Sequence, residues 1–196
     1  GLFPEQAVNW EFMMNKIKRS KRLIKVLNLF AYTGGATVAC LSAGASVTHV
    51  DSSRGMVDWC KENVKASGLE GAPVRYLVDD VKKFVAREIR RGNHYDAIIM
   101  DPPSYGRGTN GEVWDIEKDL ALLVSMCSQI LVEKPLFFLI NSYTTGLSSY
   151  VLKNLLSEVL LPRFPGKARC GEVGIPIAHS SLVLPCGIYG RWEDET

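Results

Sequence analysis

The chain has 196 residues, 46% of them hydrophobic and 22% charged, an ordinary globular balance that suits one domain with a real core. A net charge of +2 gives no bulk case for a polyanionic partner, although a local patch could still bind one, and no apolar run reaches the ~20 residues that cross a bilayer. The five cysteines are odd in number, widely spaced and free of any C-x-x-C, which argues against a disulfide framework or structural zinc and suits a reducing cytoplasm.

Residues 1–24 form a lead-in segment. The chain starts on Gly1-Leu2-Phe3-Pro4 with no leader, from which we expect a piece of something longer. A helix is predicted over Ala7 to Lys18, with Trp10, Met13, Met14 and Ile17 on one side. The basic run Lys16 to Lys25 is either a solvated turn or a phosphate-facing patch. Strand–helix units then alternate, the signature of an α/β sheet. Strands are predicted at Lys25–Leu29, Val47–Val50, Val74–Val78, Tyr95–Met100 and Leu136–Ile140. The intervening helices are Gly35–Ser42, Arg54–Ala66, Val81–Arg90 and Asp115–Leu131, with a last one at Ser148–Leu160. Gly44, Gly68 and Gly92 stop three of them, and Pro135 cannot continue the fourth. From Ala168 to Trp192, two extended stretches predict a closing hairpin at the sheet edge.

Polar residues cluster at the strand ends. The first strand runs into Phe30-Ala31-Tyr32-Thr33-Gly34-Gly35, the second into Asp51, the third into Asp79-Asp80, the fourth into Asp101 and the fifth into Asn141. In a parallel sheet all of these fall on one edge, where such folds bind ligands. The glycine turn lets backbone approach a ligand closely. It lacks the G-x-G-x-x-G pattern, because Gly34 is followed by Ala36 and Ala39, so it fits a pyrophosphate poorly. It suits a ligand without phosphate, such as S-adenosylmethionine. Asp51 is placed to grip ribose hydroxyls or to cap the next helix; Ser52 and Ser53 compete for the cap and leave the acid freer. Asp80, with the Val81 amide beside it, can accept from an adenine amino group or cap its own helix; Asp79 is the weaker ligand candidate.

The most specific stretch is Ala97-Ile98-Ile99-Met100 followed by Asp101-Pro102-Pro103-Ser104-Tyr105. The apolar run needs burial on both faces, and the two prolines stiffen the backbone beyond the acid. Asp101 can accept a hydrogen bond or a proton from an acceptor N–H, and Tyr105 can stack on a planar base. Gly106, Gly108 and Gly111 suggest a mobile lid. Trp114 reads as packing for the following helix or as a base platform, and Tyr143 is a further aromatic near Asn141. His49, His94 and His179 are scattered and read as structural or solvated, and no metal constellation is present. Met56, Trp59 and Cys60, at helical spacing, read as core.

These residues resemble the class I S-adenosylmethionine-dependent methyltransferases. More narrowly they look like the bacterial large-subunit ribosomal RNA methyltransferases that act on cytosine C5 or guanine N7. The resemblance covers nearly the whole chain and rests on Leu27 to Gly35, Val50-Asp51, Asp79-Asp80-Val81 and Asp101 to Tyr105. It implies that Phe30, Ala31, Tyr32, Thr33 and Gly34 line the methionine half of the cofactor. Asp51, with Ser52 beside it, would hold ribose, and Asp80 with Val81 the adenine. Asp101 would lie between cofactor and acceptor. The opening segment through Gln6 is similar to one that approaches the cofactor in that family. An RNA-binding domain usually stands upstream there, and none is present in this sequence.

One departure bears on chemistry. Cytosine-C5 enzymes need a cysteine nucleophile, which in the similar family follows the fifth strand. Here that place reads Asn141-Ser142-Tyr143-Thr144-Thr145, so an already nucleophilic nitrogen or oxygen is the expected acceptor. In amino-group methylases the aromatic often follows the two prolines directly; here Ser104 intervenes and Tyr105 follows, as in the ribosomal RNA group. The sequence thus predicts a doubly wound, Rossmann-like, mostly parallel seven-stranded α/β sheet with an antiparallel edge hairpin. It predicts a cytoplasmic methyltransferase for a base nitrogen of ribosomal RNA, with Asp101, Tyr105 and Asn141 around the acceptor and a homo-oligomer left open. The rival readings are a small-molecule or protein methyltransferase, a non-catalytic cofactor-binding module, and a nicotinamide-dependent oxidoreductase.

Overall fold

A computed structural model describes residues 1–195. After a short 3-10 turn, Pro4–Gln6, the elements in chain order are α1 (Ala7–Arg19), β1 (Lys25–Leu29), α2 (Gly35–Ser42), β2 (Ser46–Asp51), α3 (Arg54–Ala66), β3 (Val74–Val78), α4 (Val81–Arg91) and β4 (Ala97–Met100). There follow β5 (Tyr105–Arg107), β6 (Val113–Asp115), α5 (Ile116–Ser128), β7 (Phe137–Ser142), α6 (Ser149–Leu160), β8 (Lys167–Pro176) and β9 (Val183–Glu193).

Seven strands form one sheet in the order β3-β2-β1-β4-β7-β9-β8. The first five are parallel, and the β8–β9 hairpin joins β7 antiparallel. The sequence reading of the sheet is borne out. The chain winds outward from β1 to β3 and then crosses to β4 on the other side of β1. This reversal opens a crevice between the carboxyl ends of β1 and β4.

The strand alternation divides the core. Val26, Val47, Ala97, Ile99, Phe137 and Leu139 point to the face covered by Met13 and Ile17 of α1, Cys40 and Leu41 of α2, and Cys60 and Val64 of α3. Leu27, Leu29, Val50, Ile98, Met100, Phe138 and Ile140 point to the other, covered by α4, α5 and α6. Burial on both faces explains why these strands read as continuous apolar runs. Asp51, Asp101 and Asn141 continue the first set at the strand ends, so they emerge on the α1–α3 side.

Four local expectations are corrected. Tyr95 belongs to no strand and makes an isolated bridge to Leu131, because its backbone turns to pair with Ile130 and Val132 instead. The helix predicted from Asp115 to Leu131 runs only from Ile116 to Ser128, because Asp115 is its N-cap, accepting from Glu117 N at 3.1 Å. The predicted lid is the β5–β6 hairpin, pairing Tyr105–Asp115, Gly106–Trp114 and Arg107–Val113. Trp59 is 44% exposed, whereas Cys60 is buried and Met56 half-buried. The basic run lies at the amino end of β1, on the edge opposite the crevice; there Lys16 pairs with Asp194 and Arg22 with Asp96.

Candidate active site

The site is built around an unusual turn. Phe30 (φ 53°), Tyr32 (φ 53°) and Gly34 (φ 86°) all lie in the left-handed region, three of five consecutive residues. Two of them carry side chains, so the turn stores strain on the order of 1–3 kcal/mol per residue. Its neighbours hold it in place. Tyr32 N donates to Asp51 Oδ2 at 2.9 Å, Gly34 N to Ala31 O at 3.1 Å, and Asn63 Nδ2 of α3 to Thr33 O at 2.8 Å. Gly34 is required twice over, since a Cβ there would run into Cys60 Sγ. Beneath the turn, Asn28 Nδ2 donates to Thr37 Oγ1 at 3.0 Å, and Thr37 Oγ1 lies 2.8 Å from His49 Nδ1. Burial pushes His49 down to about 4, against the opposing effect of the Tyr32 carbonyl. The ring is therefore neutral at physiological pH and acts as a structural strut.

Two adjoining cavities of about 60 and 80 Å³ share Phe30. The first is lined by Gln6, Ala31, Tyr32, Thr33, Gly34, Asp101 and Asn141 among others, the second by Asp51, Ser52, Asp80, Val81 and Trp114. The structure thus brings together all the candidate residues except Tyr105. Tyr105 is 53% exposed on β5, outside both linings. Asp51 is more engaged than the sequence suggested. Ser53 does cap α3, but Asp51 Oδ1 also accepts from Ser53 N at 2.9 Å, so each of its oxygens already holds backbone. Asp80 caps α4 through Lys83 N at 2.9 Å, and Asp79 pairs with Arg87.

Asp101 differs from these acids, for no described residue hydrogen-bonds its carboxylate. Burial, assisted by the nearby Glu5 charge, pushes it up to about 7. The loop beyond it is pinned. Trp114 Nε1 donates to Pro103 O at 2.7 Å and its ring packs on Phe30 at 4.8 Å, while Ser104 Oγ lies 2.7 Å from Thr144 Oγ1. Trp114 therefore has the packing role.

Sequence reasoning missed a chain of side-chain contacts on the α1 side. Tyr143 OH donates to Glu5 Oε1 at 2.9 Å and accepts from Gln6 Nε2 at 2.7 Å. Asn9 Nδ2 donates to Gln6 Oε1 at 2.9 Å and to Asn141 Oδ1 at 3.0 Å. One signal was available: Asn9 stands four residues before Met13 and eight before Ile17, a polar side chain on the buried face of α1.

The linings also indicate which cofactor fits. They carry Asp51, Asp79, Asp80, Asp101 and Glu112 with Arg107; Arg87 pairs with Asp79 and Lys83 with Glu112, which leaves Asp51, Asp80 and Asp101 as the acids outside those ion pairs. Such a surface offers acceptors for hydroxyls and amino groups and suits a positive sulfonium. Gly34, which has no side chain, lines the first cavity with backbone alone.

The family described as S-adenosylmethionine-dependent methyltransferase matches residues 10–154, and this chain belongs to it. Ribosomal RNA large subunit methyltransferase K/L of Syntrophotalea carbinolica is 33% identical over 145 residues, which is 73% of this chain and 19% of that protein. Ribosomal RNA large subunit methyltransferase K of Neisseria meningitidis serogroup B is 31% identical over 136 residues, 68% of this chain and 37% of that one. The crystal structure of the SAM-dependent methyltransferase from Agrobacterium tumefaciens is 42% identical with a TM-score of 0.95, covering 100% of this chain and 64% of that chain. This chain therefore spans only part of each of these relatives.

Proposed function

We propose that this chain, as one methyltransferase domain over residues 1–196, moves a methyl group from S-adenosylmethionine to a base nitrogen of ribosomal RNA in the cytoplasm. The observation that carries the reading is the unpaired Asp101 facing the strained Phe30–Gly34 turn across the sheet crossover, in a chain of this family. When bound, the cofactor supplies an electrophilic methyl on a sulfonium. Phe30 to Gly34 and Gln6 would hold its methionine half, Asp51 and Ser52 its ribose, and Asp80 with the Val81 amide its adenine. Asp101 and Asn141 would orient the acceptor, and Tyr105 at the rim would stack on it.

The RNA assignment draws on the relatives, two of which are named as ribosomal RNA large subunit methyltransferases. Nitrogen is favoured over cytosine C5 because no cysteine lines either cavity. Cys60, behind the turn, is buried and its thiol is pushed up to about 12, so it is no nucleophile. Mass spectrometry of ribosomal RNA from cells lacking the gene tests the reading. One methylated base should disappear and return on complementation; an unchanged modification profile would refute the RNA substrate.

A further inference from the structure

Asn9 is 1% exposed, and its Nδ2 serves two carbonyl oxygens, Gln6 Oε1 and Asn141 Oδ1. The direction of these bonds has a consequence across the cavity. An amide whose oxygen faces one neighbour must present its NH2 elsewhere. Asn141 turns Oδ1 toward α1, which leaves Nδ2 for the cavity it lines with Asp101. Gln6 is locked in the same sense, since Nε2 is committed to Tyr143, whose hydroxyl is committed to Glu5.

Asp101 and Asn141 stand side by side. Met100 pairs with Ile140 at the end of the β4–β7 ladder, Asp101 and Asn141 are the residues that come next in sequence, and both line the first cavity. The cavity therefore offers a fixed donor beside a carboxyl. We propose that Asn9 is a positioning residue: by holding Asn141 with its NH2 beside Asp101, it makes the acceptor site select an exocyclic amino group next to an unprotonated ring nitrogen.

The proposal rests on the methyltransferase reading and names its substrate edge. The amino N–H donates to Asp101 while the ring nitrogen accepts from Asn141. Adenine, cytosine and the N2–N3 side of guanine carry this edge; guanine N7 and uracil do not. In transfer, the amino nitrogen forms the new N–C bond as the methyl–sulfur bond breaks, and that bond's electron pair stays on sulfur. The Asp101 carboxylate takes the proton that the nitrogen sheds. Its upward shift to about 7 suits it to this step near neutral pH.

Two measurements test the proposal. In the first, the purified chain is given a large-subunit ribosomal RNA transcript and labelled S-adenosylmethionine, and the product nucleoside is identified by mass spectrometry. N6-methyladenosine, N4-methylcytidine or N2-methylguanosine is expected; 7-methylguanosine, 5-methylcytidine or a 2′-O-methyl product would overturn the proposal. Asn141→Asp keeps an oxygen for Asn9 but removes the donor, and Asn9→Asp turns Asn141 around. Each should lower kcat/KM for the acceptor about 100-fold, and Asn141→Asp should do so with S-adenosylhomocysteine affinity held within about threefold. Loss of stability without that selective loss would show a merely structural role.

The second measurement needs no RNA turnover. The Asn141 side-chain NH2 resonance of the S-adenosylhomocysteine complex should shift with 2-aminopyridine and not with 3-aminopyridine, and the response should vanish in Asn9→Asp. An indifferent resonance would overturn the proposal. If instead the resonance responds and no RNA is labelled, the ribosomal RNA reading fails and the amidine-type edge stands.

Discussion

At Asp101 the physics of burial and the needs of chemistry meet in one carboxyl group. Its folded value of about 7 lies above the ordinary 3.8, so below pH 4 folded and unfolded chains hold the same proton and no penalty arises. Between pH 4 and 7 the unfolded chain ionises first, and the folded state loses stability as pH rises. Asp101→Asn should therefore raise the melting temperature of the unliganded chain at pH 8, by an amount on the order of 2 kcal/mol in stability, and the gain should vanish near pH 4. The same substitution should abolish methyl transfer. Melts at the two pH values, with an activity assay, check both halves. Gly34→Ala acts in the opposite sense. A side chain at φ 86° that also strikes Cys60 should cost upward of about 2 kcal/mol and weaken S-adenosylhomocysteine binding, as calorimetry would show.

Among the elements, the β5–β6 hairpin ties the Asp101 loop to the Phe30–Gly34 turn, because Trp114 touches both Pro103 and Phe30. Trp114→Phe keeps most of the packing and loses one hydrogen bond, so about 1 kcal/mol of stability should go. Trp114→Ala should remove about 3–5 kcal/mol and loosen the loop, read as a lower kcat and a lower denaturation midpoint. This hairpin was hard to read in sequence, because Gly106, Gly108 and Gly111 hide two three-residue strands inside what resembles a flexible loop. By contrast, Lys25–Leu29, Gly35–Ser42, Arg54–Ala66 and Val74–Val78 have the bounds the sequence suggested. Three of them stop within two residues of a glycine or an acid, at Gly44, Gly68 and Asp79, where the periodicity breaks. The Asn9–Asn141 bond joins side chains 132 residues apart, and no local pattern encodes such a contact.

For the molecule as a whole, the sheet order separates function from fold maintenance. The candidate site residues collect at the carboxyl edge, and the basic run Lys16 to Lys25 lies at the other, partly consumed by ion pairs. Replacing Lys18, Arg19 and Lys21 together by alanine should leave methyl transfer within about twofold, whereas a loss of RNA affinity with a flatter salt slope would make that edge an RNA surface. His49 sets an acid limit for the core. Its folded value near 4 lies below the ordinary 6.5, so its contribution is complete above pH 6.5 and is lost as pH falls toward 4. Denaturant titrations across that window should show a decline on the order of 3 kcal/mol, absent in a stably folded His49→Gln variant.

The convergence of strand ends into one adenosyl site is most directly tested by calorimetric titration of the purified chain with S-adenosylhomocysteine and with NAD. Saturable binding of one S-adenosylhomocysteine per chain is expected, weakened by Asp51→Ala and without measurable heat from NAD. A chain that binds NAD in preference, or binds S-adenosylhomocysteine equally well after Asp51→Ala, would contradict it.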